Sequence, residues 1–263
     1  MLQIISPFAP LFCKPCFQAE RDDEAWFGQR AEILSDAADG WRKVRMDYGY
    51  ESYVEAIHLG HEPEAGEAGV IHAHWADVLA APSYQAPLLF SLPKGSRIRL
   101  LAVERGWARL ALPGEEEGYT RVVHLAEFPS DPTGVEPAIL RGQIADETLS
   151  YLGCQYRWGG RTPQGLDCSG LCHAVYLHCG ITIYRNSRLN ENFPVREIPL
   201  VRLQIGDLLY FPGHIAIYLG GGRYIHASGS LGRVVISSLR PSDRDYRADL
   251  ASCFLCAGSV FSL

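Results

Sequence analysis

The sequence predicts an α+β domain, in which a cysteine-bearing helix packs on an antiparallel sheet, preceded by two small all-β barrels. Three observations lead there. An internal duplication with strand-length alternation fills the first half of the chain. A proline-rich boundary, FPSDPTGVEPA (128–138), follows it. Beyond that, turn-rich sequence runs into GLDCSGLCHAVYLHCG (165–180) and then into three alternating apolar runs. The organisation expected is one barrel over 1–62, a second over 70–128, a linker over 129–138 and the α+β domain over 139–263.

Composition limits the partners. Of 263 residues, 47% are hydrophobic and 11% aromatic, enough for packed cores. The net charge is -6 and no basic run exceeds two residues, so nucleic acid is not an expected partner. No stretch approaches the roughly 18–20 apolar residues of a membrane span, so no membrane is expected either. MLQIISPFAPLFCKPCF is apolar but lacks a basic segment before it and is broken by prolines, so a signal peptide is not expected. The expected location is therefore cytoplasmic. Eight cysteines fit that reading as reduced thiols. Two C-x-x-C pairs, at 13–16 and 253–256, could supply four zinc ligands. The second lies in SCFLCAGSVF, which reads as a buried strand, and packed thiols are the expectation for both. No motif asks for a metal or an organic cofactor.

The duplication justifies the barrels. GWRKVRMDYGYESYVEAIHL (40–59) aligns without gaps to GWARLALPGEEEGYTRVVHL (106–125), sharing the Gly-Trp start and the His-Leu end. Upstream, PCFQAE (15–20) matches PSYQAP (82–87) at an offset of 67 rather than 66. Runs such as RAEIL and RIRLL, each followed by a Gly-Trp turn and W-x-x-V or W-x-x-L alternation, read as short strands. His58 and His124 hold equivalent repeat positions, which suggests a structural use.

After the linker, ILRGQIADETLSYLG (139–153) sets Ile139, Ile144, Leu149 and Leu152 at helical intervals and ends in glycine. WGGRTPQG is turn chemistry, and Asp167 is an N-cap for the next helix. Leu171, Val175 and Cys179 mark that helix's apolar face, and Gly180 closes it. Cys168 falls in its first turn, where free N–H groups and the helix dipole favour thiolate. Cys172, one turn deeper, is expected to pack.

A thiol nucleophile needs a base and a group to orient that base. His173 and His178 share the cysteine's helix, and His61, His72 and His74 sit between the barrels without a motif. His214 and His226 remain, in IGDLLYFPGHIAIYLGGGRYIHASG (205–229). DLLYF, HIAIYLG and RYIHAS alternate as three antiparallel strands joined by Pro-Gly and Gly-Gly-Gly turns, making the two histidines plausible cross-strand neighbours.

These residues carry a resemblance. YRWGGRTPQGLDCSG, GDLLYF, GHIAIYLG and YIHASG, in that order over about 150–229, closely resemble the NlpC/P60 cysteine peptidases. The G-W-x-K-V…G-Y-x-x-Y-V pattern of the barrels resembles bacterial SH3 (SH3b) modules. The resemblance implies a papain-like catalytic domain acting as a γ-D-glutamyl-L-diamino acid endopeptidase on peptidoglycan peptides. It implies Cys168 as nucleophile, His214 as base and His226 as orienter. Tyr156 would line the pocket, and Ser169 and Ser187 would hold the D-glutamyl carboxylate. Asp167 would cap the helix and also bind a free α-amino group. In such relatives the first barrel closes the cleft with an acid and a tyrosine. Glu51 and Tyr53 are carried forward for these roles, with Glu24 and Tyr50 as alternatives. The expected substrates are peptides beginning L-Ala-γ-D-Glu-diamino acid, met during recycling. A secreted hydrolase anchored to intact wall and an inactive wall-binding module stay open. Arg161, Arg185 and Arg188 are candidates for an extra substrate carboxylate.

Overall fold

A computed structural model describes residues 2–127 and 132–261. The chain divides into two compact units, 1–128 and 129–263. Part of the expected linker, 129–131, lies outside the described residues.

The first unit holds two sheets of one design. The first comprises β1 (Leu2–Ile4), β2 (Phe8–Phe12), β3 (Arg21–Trp26), β4 (Arg30–Asp36), β5 (Trp41–Met46), β6 (Glu51–Glu55) and β7 (Leu59–His61). The second comprises β8 (Glu67–Ile71), β9 (Trp75–Leu79), β10 (Leu88–Pro93), β11 (Arg97–Glu104), β12 (Trp107–Ala111), β13 (Glu117–Arg121) and β14 (Leu125–Ala126). Their orders are β3-β2-β6-β5-β4-β1-β7 and β10-β9-β13-β12-β11-β8-β14, so each strand of the second stands seven places after its counterpart. Register shifts recur at equivalent points, Ile33/Ser35 and Leu100/Ala102. The changed offset of the duplication falls in the next hairpin, where Ala37–Gly40 is replaced by Arg105–Gly106.

Alternation buries one face of each strand. Ile4, Ala9, Leu11, Val44, Met46 and Val54 fill the first barrel. Ile71, Val78, Leu92, Ile98, Ala108 and Leu110 fill the second, joined by Phe27 from the first. Arg97 N donates to Phe27 O at 2.9 Å beside it. Gly28 permits this approach: its φ is +76°, and a Cβ there would stand 2.3 Å from Arg97 O. His58 and His124 close matching 3-10 turns, held by Ser6 Oγ at 2.7 Å and Thr120 Oγ1 at 3.4 Å.

The second unit opens with α1 (Pro137–Leu149), two residues earlier than the sequence predicts. Pro137 takes a first-turn position, where its missing N–H costs nothing, and Glu136 caps Ile139 N. Its buried face is Leu140, Ile144 and Thr148, whereas Ile139, Leu149 and Leu152 are exposed. Only Ile144 of the expected stripe is buried, because the i, i+4, i+8 row starts one residue later. A hairpin, β15 (Arg161–Thr162) and β16 (Gly165–Leu166), leads into α2 (Cys168–His178). Then come β17 (Arg196–Ile198), β18 (Leu208–Phe211), β19 (His214–Gly220), β20 (Arg223–Ser228) and β21 (Arg233–Ser238). The short α3 (Ala248–Ser252) and β22 (Cys256–Ser259) finish the unit. Cys253 and Phe254 precede that strand, so CFLC bridges helix and strand rather than lying within one.

The six strands pair antiparallel in the order β17-β22-β18-β19-β20-β21. Leu171, Cys172, Val175 and Tyr176 of α2 pack against Leu208, Tyr210, Ile215, Ile217 and Ile225. Leu209, Phe211, Ala216 and Tyr224 form a second cluster with Leu250 and Phe254. This is the α+β architecture expected, a cysteine-bearing helix on an antiparallel sheet. No helix among the described residues is long and apolar enough to cross a membrane.

Candidate active site

Local sequence sets the start of α2. Asp167 is extended and its Oδ1 accepts from Gly170 N at 2.6 Å, an N-cap bond. Gly170 has no space for a side chain, since a Cβ there would stand 2.1 Å from Gly160 O. The Gly-Gly turn and the D-C-S-G run therefore lock together through glycine backbone. Cys168 becomes the first helical residue and is 6% exposed.

Asp167 is more than a cap. Its Oδ1 also accepts from Ser169 Oγ and Arg185 Nη1, both at 3.1 Å. Its Oδ2 accepts from Gly159 N at 2.8 Å and Arg185 Nη2 at 3.0 Å. Arg185 Nη1 also reaches Ser169 Oγ at 2.8 Å. Arg185 and Asp167 side chains are 2% and 8% exposed, a sealed pair. Arg185 is thus committed to Asp167, against the expectation that it awaits a substrate carboxylate. Arg161 is fully buried and donates to His173 Nδ1 at 2.9 Å. Arg188 alone of the three is exposed, and it reaches Tyr184 Oη at 3.2 Å.

His214 opens β19. The β19–β20 ladder runs from Ile217↔Ile225 to Gly220↔Arg223, and His214 and His226 lie beyond its end. There His214 Nε2 meets His226 Nδ1 at 2.7 Å, with ring planes at 83°. His226 Nε2 stands 3.2 Å from Ser237 Oγ on β21. The backbone N–H of Ile215, next after His214, points at the Cys168 sulfur. Tyr156 lies close enough for its phenol to respond to charge on Cys168 and Asp167, and its ring faces Gly229.

Burial dominates the site's acid–base chemistry. It pushes the Cys168 thiol up to about 11, with the Asp167 charge adding to the rise. Ile215 and Ser169 N–H groups and Arg185 oppose that rise without cancelling it. The thiolate-favouring helix end expected from sequence is therefore outweighed. Burial lowers His214 to about 4 and His226 to about 3, the latter aided by His214 itself. Near neutral pH the three groups are a thiol and two neutral imidazoles. Such a pair moves its proton during attack rather than before it.

Ser187 is half-buried, two residues beyond Arg185. Cys172 is fully buried in the core. Glu51 and Tyr53 belong to the first unit, which is described by itself. There Glu51 pairs with Arg45 at 2.7 Å and Lys43 at 3.2 Å, and Tyr53 sits opposite Phe12. Glu24 is fully buried beside Arg21, at 3.5 Å. Sequence reasoning missed Ser237, on a strand it did not anticipate, and Arg247 and Asp249, whose charges reach both histidines. Among the described residues no group of three or more His, Cys, Asp or Glu could hold a metal.

The chain is similar to known proteins in sequence and in fold. A model of the NlpC/P60 family matches residues 153–248, and one of the bacterial dipeptidyl-peptidase Sh3 domain matches 11–59. Dipeptidyl-peptidase 6 of Lysinibacillus sphaericus is 36% identical, over 98% of both chains. Gamma-D-glutamyl-L-lysine dipeptidyl-peptidase of Bacillus cereus is 26% identical over 78% of this chain and 67% of its own length. An NlpC/P60 family protein from Bacillus cereus superposes with a TM-score of 0.80 at 21% identity, over 97% of this chain and 98% of that one. That last likeness concerns the fold.

Proposed function

Because the chain belongs to the NlpC/P60 family of cysteine peptidases, we propose that it hydrolyses the γ-D-glutamyl–diamino acid bond of peptidoglycan-derived peptides, taking those with a free N-terminal L-Ala. The observation that carries this reading is the 2.7 Å His214–His226 bond, formed where the Ile215 amide meets the Cys168 sulfur. The name of the Bacillus cereus relative, a gamma-D-glutamyl-L-lysine dipeptidyl-peptidase, supports the choice of bond.

The hydrogen bonds dictate the tautomers. For His214 Nδ1 to take the thiol proton, it must be bare, so the ring proton sits on Nε2 and is donated to His226 Nδ1. His226 then keeps its own proton on Nε2, directed at Ser237 Oγ. Each bond fixes the next tautomer, so the orienter is a neutral acceptor rather than a carboxylate.

Attack of Cys168 sulfur on the γ-glutamyl carbonyl forms the C–S bond while His214 takes the proton. The backbone N–H of Cys168, at the positive end of α2, faces the developing oxyanion. His214 returns the proton to the diamino-acid amine, which leaves, and water hydrolyses the acyl-enzyme by the reverse use of the same base. Ser187, and Ser169 once its hydroxyl turns from Asp167, hold the D-glutamyl carboxylate, and Tyr156 lines the pocket. Asp167 already accepts five hydrogen bonds, and these support a positioning role.

The role proposed is the recycling of small peptides: the eight cysteines are thiols rather than disulfides, as a reducing compartment would keep them. The test offers purified protein L-Ala-γ-D-Glu-meso-diaminopimelate, its N-acetylated form and intact sacculi. Cleavage confined to the free-amine peptide is expected. Solubilisation of sacculi would replace recycling with wall hydrolysis, and inertness toward all three would remove the enzymatic reading.

A further inference from the structure

Two ion pairs flank the reacting groups, and they differ in kind. Asp167–Arg185 is sealed. Arg247–Asp249 is open to water, with Arg247 side chain 22% exposed and Asp249 61%. Arg247 presents its planar fork to the carboxylate, Nε to Oδ1 at 2.8 Å and Nη2 to Oδ2 at 2.5 Å. It is also tied to the strands that carry the histidine chain. Its Nη2 donates to Ser230 Oγ at 3.2 Å, and its backbone N donates to Ser238 O at 3.1 Å. Ser230 in turn meets Ser228 Oγ at 3.1 Å, two residues after His226. Between these serines, Gly229 faces the Tyr156 ring, so a Cβ there would stand 3.5 Å from Cζ.

The charges sort by side of the site. Cys168 responds to Asp167 and Arg185. Both histidines respond to Arg247 and Asp249, and His214, between the two pairs, also feels Asp167. In the reaction proposed above the glutamyl half sits at Ser169, on the Asp167–Arg185 side, so the departing residue falls to the other side of His214, toward Arg247–Asp249. The pair opens to water on its Asp249 side, so an incoming carboxylate can take the fork in place of Asp249, one bidentate partner for another.

Resting on the reaction proposed above, we propose that Arg247 and Asp249 are the specificity pair for the far end of the leaving diamino acid, selecting a side chain that ends in a carboxylate and an ammonium together. Diaminopimelate has that end; lysine has only the ammonium. The Arg247 fork takes the carboxylate bidentately, and Asp249 turns to the ammonium. The charges balance, and both side chains exchange one ionic partner for another.

The experiment measures kcat/KM for L-Ala-γ-D-Glu-meso-diaminopimelate and L-Ala-γ-D-Glu-L-Lys with the native chain, Arg247→Gln, Arg247→Lys and Asp249→Asn, each checked by thermal melting. The native chain should favour the diaminopimelate peptide by about tenfold or more. Arg247→Gln should bring that ratio down to about one, mainly through KM, as loss of a charge-assisted bond pair does. Arg247→Lys should fall between, and Asp249→Asn, which removes the partner of the ammonium that both peptides carry, should slow both without collapsing the ratio or shifting the melt. Equal turnover of both peptides by the native chain, or a preference for lysine, would overturn the proposal. So would an equal loss on both peptides in Arg247→Gln, which would assign the arginine to the α-carboxylate they share. Cleavage of neither peptide would instead overturn the underlying reaction, and the subsite with it.

Discussion

At the first turn of α2 two influences act on one thiol. The helix end favours thiolate, whereas burial and the neighbouring Asp167 charge disfavour it, and the second pair prevails. The base is shifted too, since burial holds His214 at about 4. The acid limb of kcat/KM should therefore fall near pH 4, well below the 6.5 of an ordinary imidazole, and a limb near 6.5 would contradict the burial argument. The same shift bears on stability. Between pH 6.5 and 4 the unfolded chain binds protons at His214 and His226 that the folded chain refuses, so stability present above 6.5 should drain away as pH falls through that window. Urea titrations at several pH values would show it as a falling midpoint. Replacing His226 with Ala should leave His214 without its acceptor and lower kcat by about 10²–10⁴ while KM changes little.

Among the elements, the N-terminus of α2 carries the greatest consequence. Arg185→Met should strand the Asp167 carboxylate in a sealed site and cost about 3–5 kcal/mol, read as a lower denaturation midpoint. A loss below about 1 kcal/mol would mean the carboxylate finds water, contrary to its burial. This element was legible in sequence because Asp167, the glycines and the apolar spacing all name a helix start. The strands of DLLYF, HIAIYLG and RYIHAS were legible for the same reason, a clean alternation between turns. The burial of Arg185 was not, because nothing local distinguishes a guanidinium that turns inward onto an N-cap from one that meets solvent. Nor was β21, where Ser237 and Ser238 weaken the apolar alternation, nor α3, only five residues long. The face of α1 was misread by one residue, since both rows carry apolar side chains and only packing chooses between them.

For the whole molecule, the duplicated barrels form one unit through Phe27 and Gly28 rather than two beads on a string. Gly28→Ala should press a methyl into Arg97 O, strain a positive φ and destabilise that unit by about 1–3 kcal/mol, checked by calorimetry of the full chain. The reaction turns on one bond, the γ-glutamyl amide, and one atom, the Cys168 sulfur. Its most direct test incubates the full chain and its Cys168→Ala variant with L-Ala-γ-D-Glu-meso-diaminopimelate and identifies the products by mass. The native chain should release L-Ala-D-Glu and free diaminopimelate, and the variant should leave the peptide intact. Release of L-Ala alone, or undiminished cleavage by Cys168→Ala, would contradict that reaction.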